Sequence, residues 1–211
     1  AQKFHVQIPP RLAQVTALLP GANCGGCGFP GCAGLATAIV VQGVAITSCT
    51  VATSAARKEI AELLGRNVQG TKPQVALLKC AGLPAEEYRK YKYQGIPDCQ
   101  AAVLLLNGPW NCPHRCIGLG SCFKSCRFGA INMSDQERPI ISSDLCTSCG
   151  ACVTACPKSL ITRVARESKV HVRCNSTEKG VDVRKVCNVG CIGCRLCEKA
   201  CATGSSGRRR F

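Results

Sequence analysis

The apolar positions fall into short runs that are repeatedly cut by glycine, proline and cysteine. Pro10 to Leu19 alternates apolar and polar positions at helical spacing and is stopped by Pro20-Gly21. An alanine-rich apolar run, Ala33–Gly43, reads as a second helix. Thr53–Leu64 reads as a third, with Thr53 or Ser54 as cap, Glu59 and Glu62 beside Arg57 and Lys58, and Gly65 as its stop. Gly65–Pro73 reads as a linker, and Val75–Lys79 as a short strand leading into Cys80. The charged stretch Pro84–Gln94 is expected to be helical, and Cys99 to Leu106 to be a short apolar helix or strand. No stretch reaches the roughly 18 apolar residues that a membrane helix needs. The nearest, Gly34 to Ser48, is interrupted by Gln42 and Gly43.

From Cys112 onward the pattern repeats. Cys126 is followed by Gly129–Met133, a polar turn, Pro139–Ile141 and Cys146. Cys156 is followed by Ser159–Thr162, a polar turn, Val170–Val172 and Cys174. Each reads as a cysteine, a short hairpin and another cysteine. Leu78-Lys79-Cys80 is echoed by Val172-Arg173-Cys174, and Cys112-x3-Cys116-Ile117-Gly118 by Cys187-x3-Cys191-Ile192-Gly193. Cys122 and Cys126 then align with Cys197 and Cys201. The tail Gly204–Phe211 is small, polar and basic, and is expected to be flexible.

Composition explains what these repeats serve. The 211 residues include 20 cysteines, but only five Phe, three Tyr, one Trp and one Met, so bulky core residues are scarce. Cysteine near one residue in ten marks a disulfide scaffold or a metal-rich protein. Three thiols within Cys146-x2-Cys149-x2-Cys152 are badly placed for unstrained disulfides but converge readily on one inorganic object. The run Cys146-x2-Cys149-x2-Cys152-x3-Cys156-Pro157 is the bacterial ferredoxin pattern for a [4Fe–4S] cluster, whose fourth cysteine serves the other cluster of a pair. Cys191-x2-Cys194-x2-Cys197-x3-Cys201 repeats it with Ala202 in place of proline. Cys112-x3-Cys116-x5-Cys122-x3-Cys126 is an expanded version.

Structural zinc wants four ligands in a tetrahedron, and runs of three cysteines at spacing three suit it poorly. His5, His114 and His171 show no zinc-ligand spacing and are expected at the surface. Cys24-x2-Cys27-x4-Cys32, with Cys49 beyond the next helix, forms a separate unit, in which Gly25, Gly26, Gly28 and Gly31 let backbone approach an inorganic core.

Counting constrains the ligand sets. Ferredoxin pairing joins Cys126 to Cys146, Cys149 and Cys152, and sends Cys156 back to Cys116 and Cys122. Six cysteines then remain in each flanking group: 80, 99, 112, 116, 122 and 156, then 174, 187, 191, 194, 197 and 201. Six is not a multiple of four, so five complete clusters require at least one that draws on both groups.

The formal charge of +15 invites acidic partners. Yet each oxidised cluster with four thiolates carries about −2. Five of them reduce the excess to about +5. Basic residues are also scattered, as Arg89/Lys90/Lys92, Arg163/Arg166, Arg184/Lys185 and Arg208–Arg210, with Tyr88, Tyr91 and Tyr93 interleaved among the first three. A nucleic-acid module is therefore not expected. A solvated face or a docking surface for an acidic ferredoxin fits these residues better. No acid–base pair, nucleophile triad or phosphate loop appears, and Gly25–Gly31 lacks the context of a dinucleotide fingerprint.

Leu19–Cys32, Tyr93-Gln-Gly-Ile-Pro-Asp-Cys99, Cys116-Ile-Gly-Leu-Gly-Ser-Cys122 and the ferredoxin runs together resemble the B subunit of Rnf complexes, which are membrane ferredoxin:NAD+ oxidoreductases that pump ions. The resemblance spans residues 19–201. It implies an α+β chain in which a small helical four-cysteine Fe–S domain, residues 21–66, follows an N-terminal segment 1–20. A ferredoxin-like polyferredoxin domain of short hairpins and helices, residues 67–203, and the tail 204–211 come after it. It further implies up to five [4Fe–4S] clusters, and at least three, on the twenty cysteines. Soluble ferredoxin would be the electron donor and the other subunits of the complex the acceptors. The location implied is the cytoplasmic face of a bacterial or archaeal inner membrane, peripheral in this form. The isolated chain would be an electron carrier, and enzymatic only within its complex.

Three features depart from that family. Its initial membrane helix is absent, and the segment around Lys3-Phe4 resembles the stretch immediately after that helix. The Cys-Pro-Gly expected at the last ligand of the first domain reads Cys49-Thr50-Val51. The chain also stops soon after Cys201, without the further ferredoxin repeats of some members. The alternatives are a soluble polyferredoxin, an electron-transfer subunit of another oxidoreductase, or a basic module with structural metals.

Overall fold

A computed structural model describes residues 9–68, 70, 72–82 and 84–201. The start of the N-terminal segment with His5, and the basic tail, lie outside the described residues. The chain is mixed α and β. It divides into two compact units, one formed by the residues up to Lys72 with Thr147–Cys149, the other by Pro73–Cys146 with the residues from Gly150 on. Among the described residues no helix is long and apolar enough to cross a membrane.

The first unit is helical. Helix α1, Pro10–Leu18, opens on a proline whose fixed φ suits the first helical position. Helix α2, Gly31–Val41, starts two residues earlier than expected and so carries Cys32 in its first turn. Helix α3, Ser54–Leu64, matches its sequence signals at both ends. The Thr53 hydroxyl accepts the Ala56 N–H at 3.1 Å. Gly65 takes φ +63°, so that Gly65 and Arg66 donate to the carbonyls of Glu62 and Ala61 and close the helix. Val15, Leu19, Leu35, Ile39, Ile46 and Ile60 form the core. Ala36, Ala52 and Ala61 allow close approach, and Cys49 sits within this core.

The second unit is built on two small antiparallel sheets. Strand β1, Gln74–Leu78, pairs with β4, Ile161–Ala165, with Leu78 opposite Ile161. Strands β2, Ile131–Met133, and β3, Pro139–Ile141, form the expected hairpin. Short helices α4 (Cys99–Leu104), α5 (Ser121–Lys124), α6 (Ala151–Ala155), α7 (Gly180–Val186) and α8 (Leu196–Lys199) complete it. Its core mixes Val75, Leu78, Ile131, Leu160 and Ile161 with the thiols of Cys80, Cys122, Cys146 and Cys152.

Two expectations fail here. The second hairpin does not form, because β4 pairs with β1 rather than with Val170–Val172. Gln74-Val-Ala-Leu-Leu78 buries Val75, Ala76 and Leu78 in that pairing. Val-His-Val offers less apolar surface, and Val170 stays 82% exposed. The stretch 84–94 is not a helix either, apart from one tight turn at Glu86–Tyr88. Its backbone is committed to a neighbouring segment: Lys90 donates to Pro109 O and Asn111 donates to Tyr88 O, both at 2.8 Å.

Replacing the fully buried Ile60 by Ala should destabilise the first unit by about 2–5 kcal/mol. Thr53→Ala should cost about 1 kcal/mol through the lost cap. Anaerobic thermal unfolding of the loaded chain at one scan rate should rank the midpoints wild type, Thr53→Ala, Ile60→Ala.

Candidate metal centres

In the first unit the glycine-rich loop brings three thiols to the start of α2. Asn23 organises the loop: its Oδ1 accepts the Cys32 N–H at 2.8 Å, and its Nδ2 donates to Gly21 O at 3.2 Å. Gly31 has φ +78°, and a Cβ there would stand 2.8 Å from Asn23 Oδ1, so no other residue fits without disturbing the turn. Cys49 arrives from the far side of α2, 6% exposed, and is held through its carbonyl, which accepts from Arg57 Nη2 at 2.7 Å. Cys24, Cys27, Cys32 and Cys49 together line one cavity. Cys49 therefore shares one site with the other three although Thr50-Val51 replaces the Pro-Gly of the family. Burial, with Cys27 and Cys32 adding, pushes its thiol up, while the N–H groups of Ala52 and Val51 favour the thiolate.

In the second unit, Cys99, Cys116, Cys122 and Cys156 line a second cavity, walled by Leu78, Ile117, Leu160 and Ile161. Four elements supply these thiols. Cys99 opens α4, Cys116 precedes a loop with Gly118 and Gly120 at positive φ, Cys122 lies in α5, and Cys156 follows α6. Cys99 is fixed by a relay of hydrogen bonds. Its N–H donates to Ser121 Oγ at 2.7 Å, and Ser121 Oγ donates to Asp98 Oδ2 at 2.8 Å. Asp98 Oδ1 caps α4 by accepting from Gln100 and Ala101. The Leu160 N–H donates to Cys156 Sγ at 3.3 Å. Burial first, then neighbouring thiols, pushes Cys116 up to about 12 and Cys122 up to about 11.

A third set adjoins the second. Cys112 is pushed up by burial and then by the charges of Cys187, Cys80 and Cys174, so these four thiols share one neighbourhood. They come from all along the unit: the end of β1, the stretch before Cys116, the coil after β4, and the end of α7. This set draws on both flanking groups of the cysteine count. Cys80 also acts on Cys116, which places the second and third sets side by side.

The two ferredoxin runs share one backbone form. The residue before the middle cysteine (Ser148 or Gly193) and the residue after it (Gly150 or Arg195) all take positive φ. Each run then enters a short helix that carries its third cysteine, Cys152 in α6 and Cys197 in α8. Cys126, Cys146 and Cys152 pack in the same core, and Cys146 Sγ accepts the Ala76 N–H at 3.4 Å. Cys149 is buried, whereas Cys194 and Cys197 are exposed, with Cys191 and Cys201 only partly covered.

This donor chemistry fits iron–sulfur clusters. Metal binding requires thiolates, and crowding several buried thiols raises the cost of ionising each one unless a cation sits among them. The thiols of two sets line cavities. Backbone N–H groups aimed at sulfur are one feature by which proteins tune such clusters.

Sequence reading missed two buried cations beside these sets. Arg115 is 3% exposed and stacks on Trp110 at 4.0 Å from the ring centre. Lys158 lines the second cavity, and its Nζ has no hydrogen-bond partner. Both are displaced downward by burial first. The only signal was their position next to cysteines, in Cys112-Pro-His-Arg-Cys116 and Cys156-Pro-Lys158. His114 is also more enclosed than expected, lying 3.6 Å from Glu178 with a quarter of its side chain exposed. The basic and aromatic stretch 88–93 is tied inward. Arg89 stacks on Trp110 and pairs with Glu86, Lys90 Nζ donates to Leu106 O, and the Tyr91 and Tyr93 hydroxyls donate to Leu105 O and Ile96 O.

Known proteins share this organisation. Residues 19–51 match an Fe-S cluster family, residues 115–161 a 4Fe-4S dicluster domain and residues 186–204 a 4Fe-4S binding domain. The chain is 43% identical over 202 residues to the B subunit of an ion-translocating oxidoreductase complex of Methanosarcina acetivorans, covering 96% of this chain and 76% of that one. The chain belongs to this B-subunit family. It is 39% identical to the B subunit of a Na(+)-translocating ferredoxin:NAD(+) oxidoreductase complex of Acetobacterium woodii, covering 90% of this chain and 57% of that one. It is 43% identical to a proton-translocating counterpart of Clostridium ljungdahlii, covering 90% and 67%. As a member of the B-subunit family carrying several [4Fe–4S] clusters, the chain is an electron-transfer subunit.

Asp98→Ala should release both Ser121 and the α4 cap, and loosen Cys99. The expected result is about four fewer iron atoms per chain after anaerobic desalting, with Asp98→Asn loading normally. The hydrogen bond from Ser121 holds Asp98 below its ordinary 3.8. Its contribution is thus complete above that pH and is lost only on acidification below it, so neutral and mildly acidic buffers should give the same iron content.

Proposed function

We propose that the chain relays single electrons from reduced soluble ferredoxin to membrane subunits of an ion-translocating ferredoxin:NAD+ oxidoreductase, at the cytoplasmic face of the membrane. Five [4Fe–4S] clusters would supply the one-electron chemistry. The proposed ligand sets are Cys24/Cys27/Cys32/Cys49, Cys80/Cys112/Cys174/Cys187, Cys99/Cys116/Cys122/Cys156, Cys126/Cys146/Cys149/Cys152 and Cys191/Cys194/Cys197/Cys201. In this reading the pair of central sets belongs to a ferredoxin-like unit, with Cys156 crossing to the neighbouring site as the dicluster pattern requires.

The observation that carries the proposal is the second cavity. Cys99, Cys116, Cys122 and Cys156 are scattered along the chain, yet they surround one apolar space beside a further set of four. Twenty cysteines then divide into five sets of four with none left over. The chain's own part is to hold the thiolates, exclude water with Leu78, Ile117, Leu160 and Ile161, and present N–H groups to the sulfur of Cys146 and Cys156. The exposed last set, around the uncovered helix α8, is where an external partner would exchange electrons.

Anaerobically prepared protein should contain about twenty iron and twenty acid-labile sulfide per chain; zinc without sulfide would refute the proposal. In an EPR-monitored titration, at least one cluster should fall near about −400 mV, the region of low-potential ferredoxins. Electron uptake from reduced ferredoxin should slow as ionic strength rises, since an acidic donor would be steered by the remaining basic excess. Rates indifferent to salt would exclude that steering.

A further inference from the structure

Among the described residues, Arg115 is the charged side chain that is almost fully buried. A buried charge is costly unless it is paired and hydrogen-bonded, and the guanidinium is almost inaccessible to solvent. Its Nη2 nonetheless has no hydrogen-bond partner. No carboxylate pairs with it among the described residues. The thiols of Cys80, Cys187, Cys112 and Cys116 all act on it. Three of these belong to one ligand set and Cys116 to the adjoining one, so the guanidinium stands where the two sets meet. Gly82 fits between it and a ligand. A Cβ at Gly82 would lie 3.7 Å from Cys187 Sγ and 3.8 Å from Arg115 Cζ. The position is fixed from the other side as well. Trp110, itself 1% exposed, lies under the guanidinium at 4.0 Å, and its indole N–H donates to Ile117 O at 3.3 Å.

Thiols alone give such a cation little reason to be buried. Anionic clusters on those thiols would, because an arginine stays charged at any physiological pH and acts strongly where water is excluded. Adding one electron to a cluster forms and breaks no bond but adds one negative charge, and a fixed positive charge nearby favours that more negative state.

We propose that Arg115 is a positioning residue for charge. Held on Trp110 between the sets Cys80/Cys112/Cys174/Cys187 and Cys99/Cys116/Cys122/Cys156, it raises the reduction potential of the clusters bound there above that of the same clusters without it. This rests on the ligand sets of the proposed function, and it assigns Arg115 a part in setting the reduction potentials at two neighbouring sites.

The test is an EPR-monitored redox titration, with dithionite as the one-electron source, of the full chain carrying Arg115→Gln, Arg115→Lys or Cys112→Ala. Iron and sulfide are counted in each sample. Arg115→Gln should shift at least one midpoint downward by a tenfold or greater change in its reduction equilibrium, about 59 mV for one electron. Arg115→Lys should restore most of that shift, and the remaining signals should stay in place. Full iron content with every midpoint unmoved in Arg115→Gln would overturn the inference. If Arg115→Gln fails to retain iron while Arg115→Lys loads normally, the positive charge is required at the site, in support of the inference. If both fail, packing on Trp110 explains the residue and the inference falls. Cys112→Ala separates the two levels. Loss of about four iron atoms and one signal upholds the ligand set, so that an unmoved potential in Arg115→Gln then counts against Arg115 alone. No loss would refute the ligand set, and the inference with it.

Discussion

Gathering thiolates around an inorganic core is the constraint on which the rest of this molecule depends. Each cluster needs four sulfur ligands, and the thiols raise one another's ionisation cost when they are crowded and buried, as at Cys116 and Cys122. The fold meets this in three ways. It aims backbone N–H groups at sulfur, it buries cations near the thiols, and it takes ligands from distant parts of the chain, so that a bound cluster ties those parts together. Strands of three to five residues and helices of four to seven are adequate in the second unit because they need not build a large apolar core. Thiols occupy part of that core. Cluster binding and folding should accordingly be one equilibrium.

The two units meet the constraint differently. The first is a small helical core, with helix α3 capped by Thr53 and closed at Gly65. Cys49 is buried in that core, while the other three thiols come from the glycine-rich loop and the start of α2. The second places two sets side by side, with Cys80 acting on both neighbourhoods. Closely adjoining sets suit a relay, and they also concentrate negative charge. With five clusters bound, as proposed, about ten of the fifteen net positive charges would be offset. Among the described residues, Arg115 is almost fully buried and the Lys158 ammonium is enclosed beside the second cavity.

Much of this was legible in the sequence, for identifiable reasons. The caps of α3, the strand before Cys80 and the hairpin 131–141 arise from local signals that act over a few residues. The ferredoxin spacing identified the chemistry because three thiols in one tight loop have few other uses. What failed depended on competition between distant segments. Val170–Val172 reads as a strand in isolation, but Gln74–Leu78 offers β4 a more apolar partner. Glu86 and Glu87 look helical, but the backbone just beyond them is claimed by residues 109–111. The grouping of Cys80 with Cys112, Cys174 and Cys187 could be bounded by counting but not read, since no motif joins residues so far apart. Arg115 was invisible because a basic residue beside a cysteine is ordinary until its burial is known.

The chain has one tryptophan, and that residue is buried beneath a guanidinium on which the thiols of two sets act. Iron–sulfur clusters absorb broadly across the near ultraviolet and visible, so an indole this close to them should be almost dark. With clusters bound in the proposed sets, Trp110 would serve as a built-in optical gauge. Its emission should stay quenched while the central sites are filled and brighten when they empty, reporting damage there in real time without any added label.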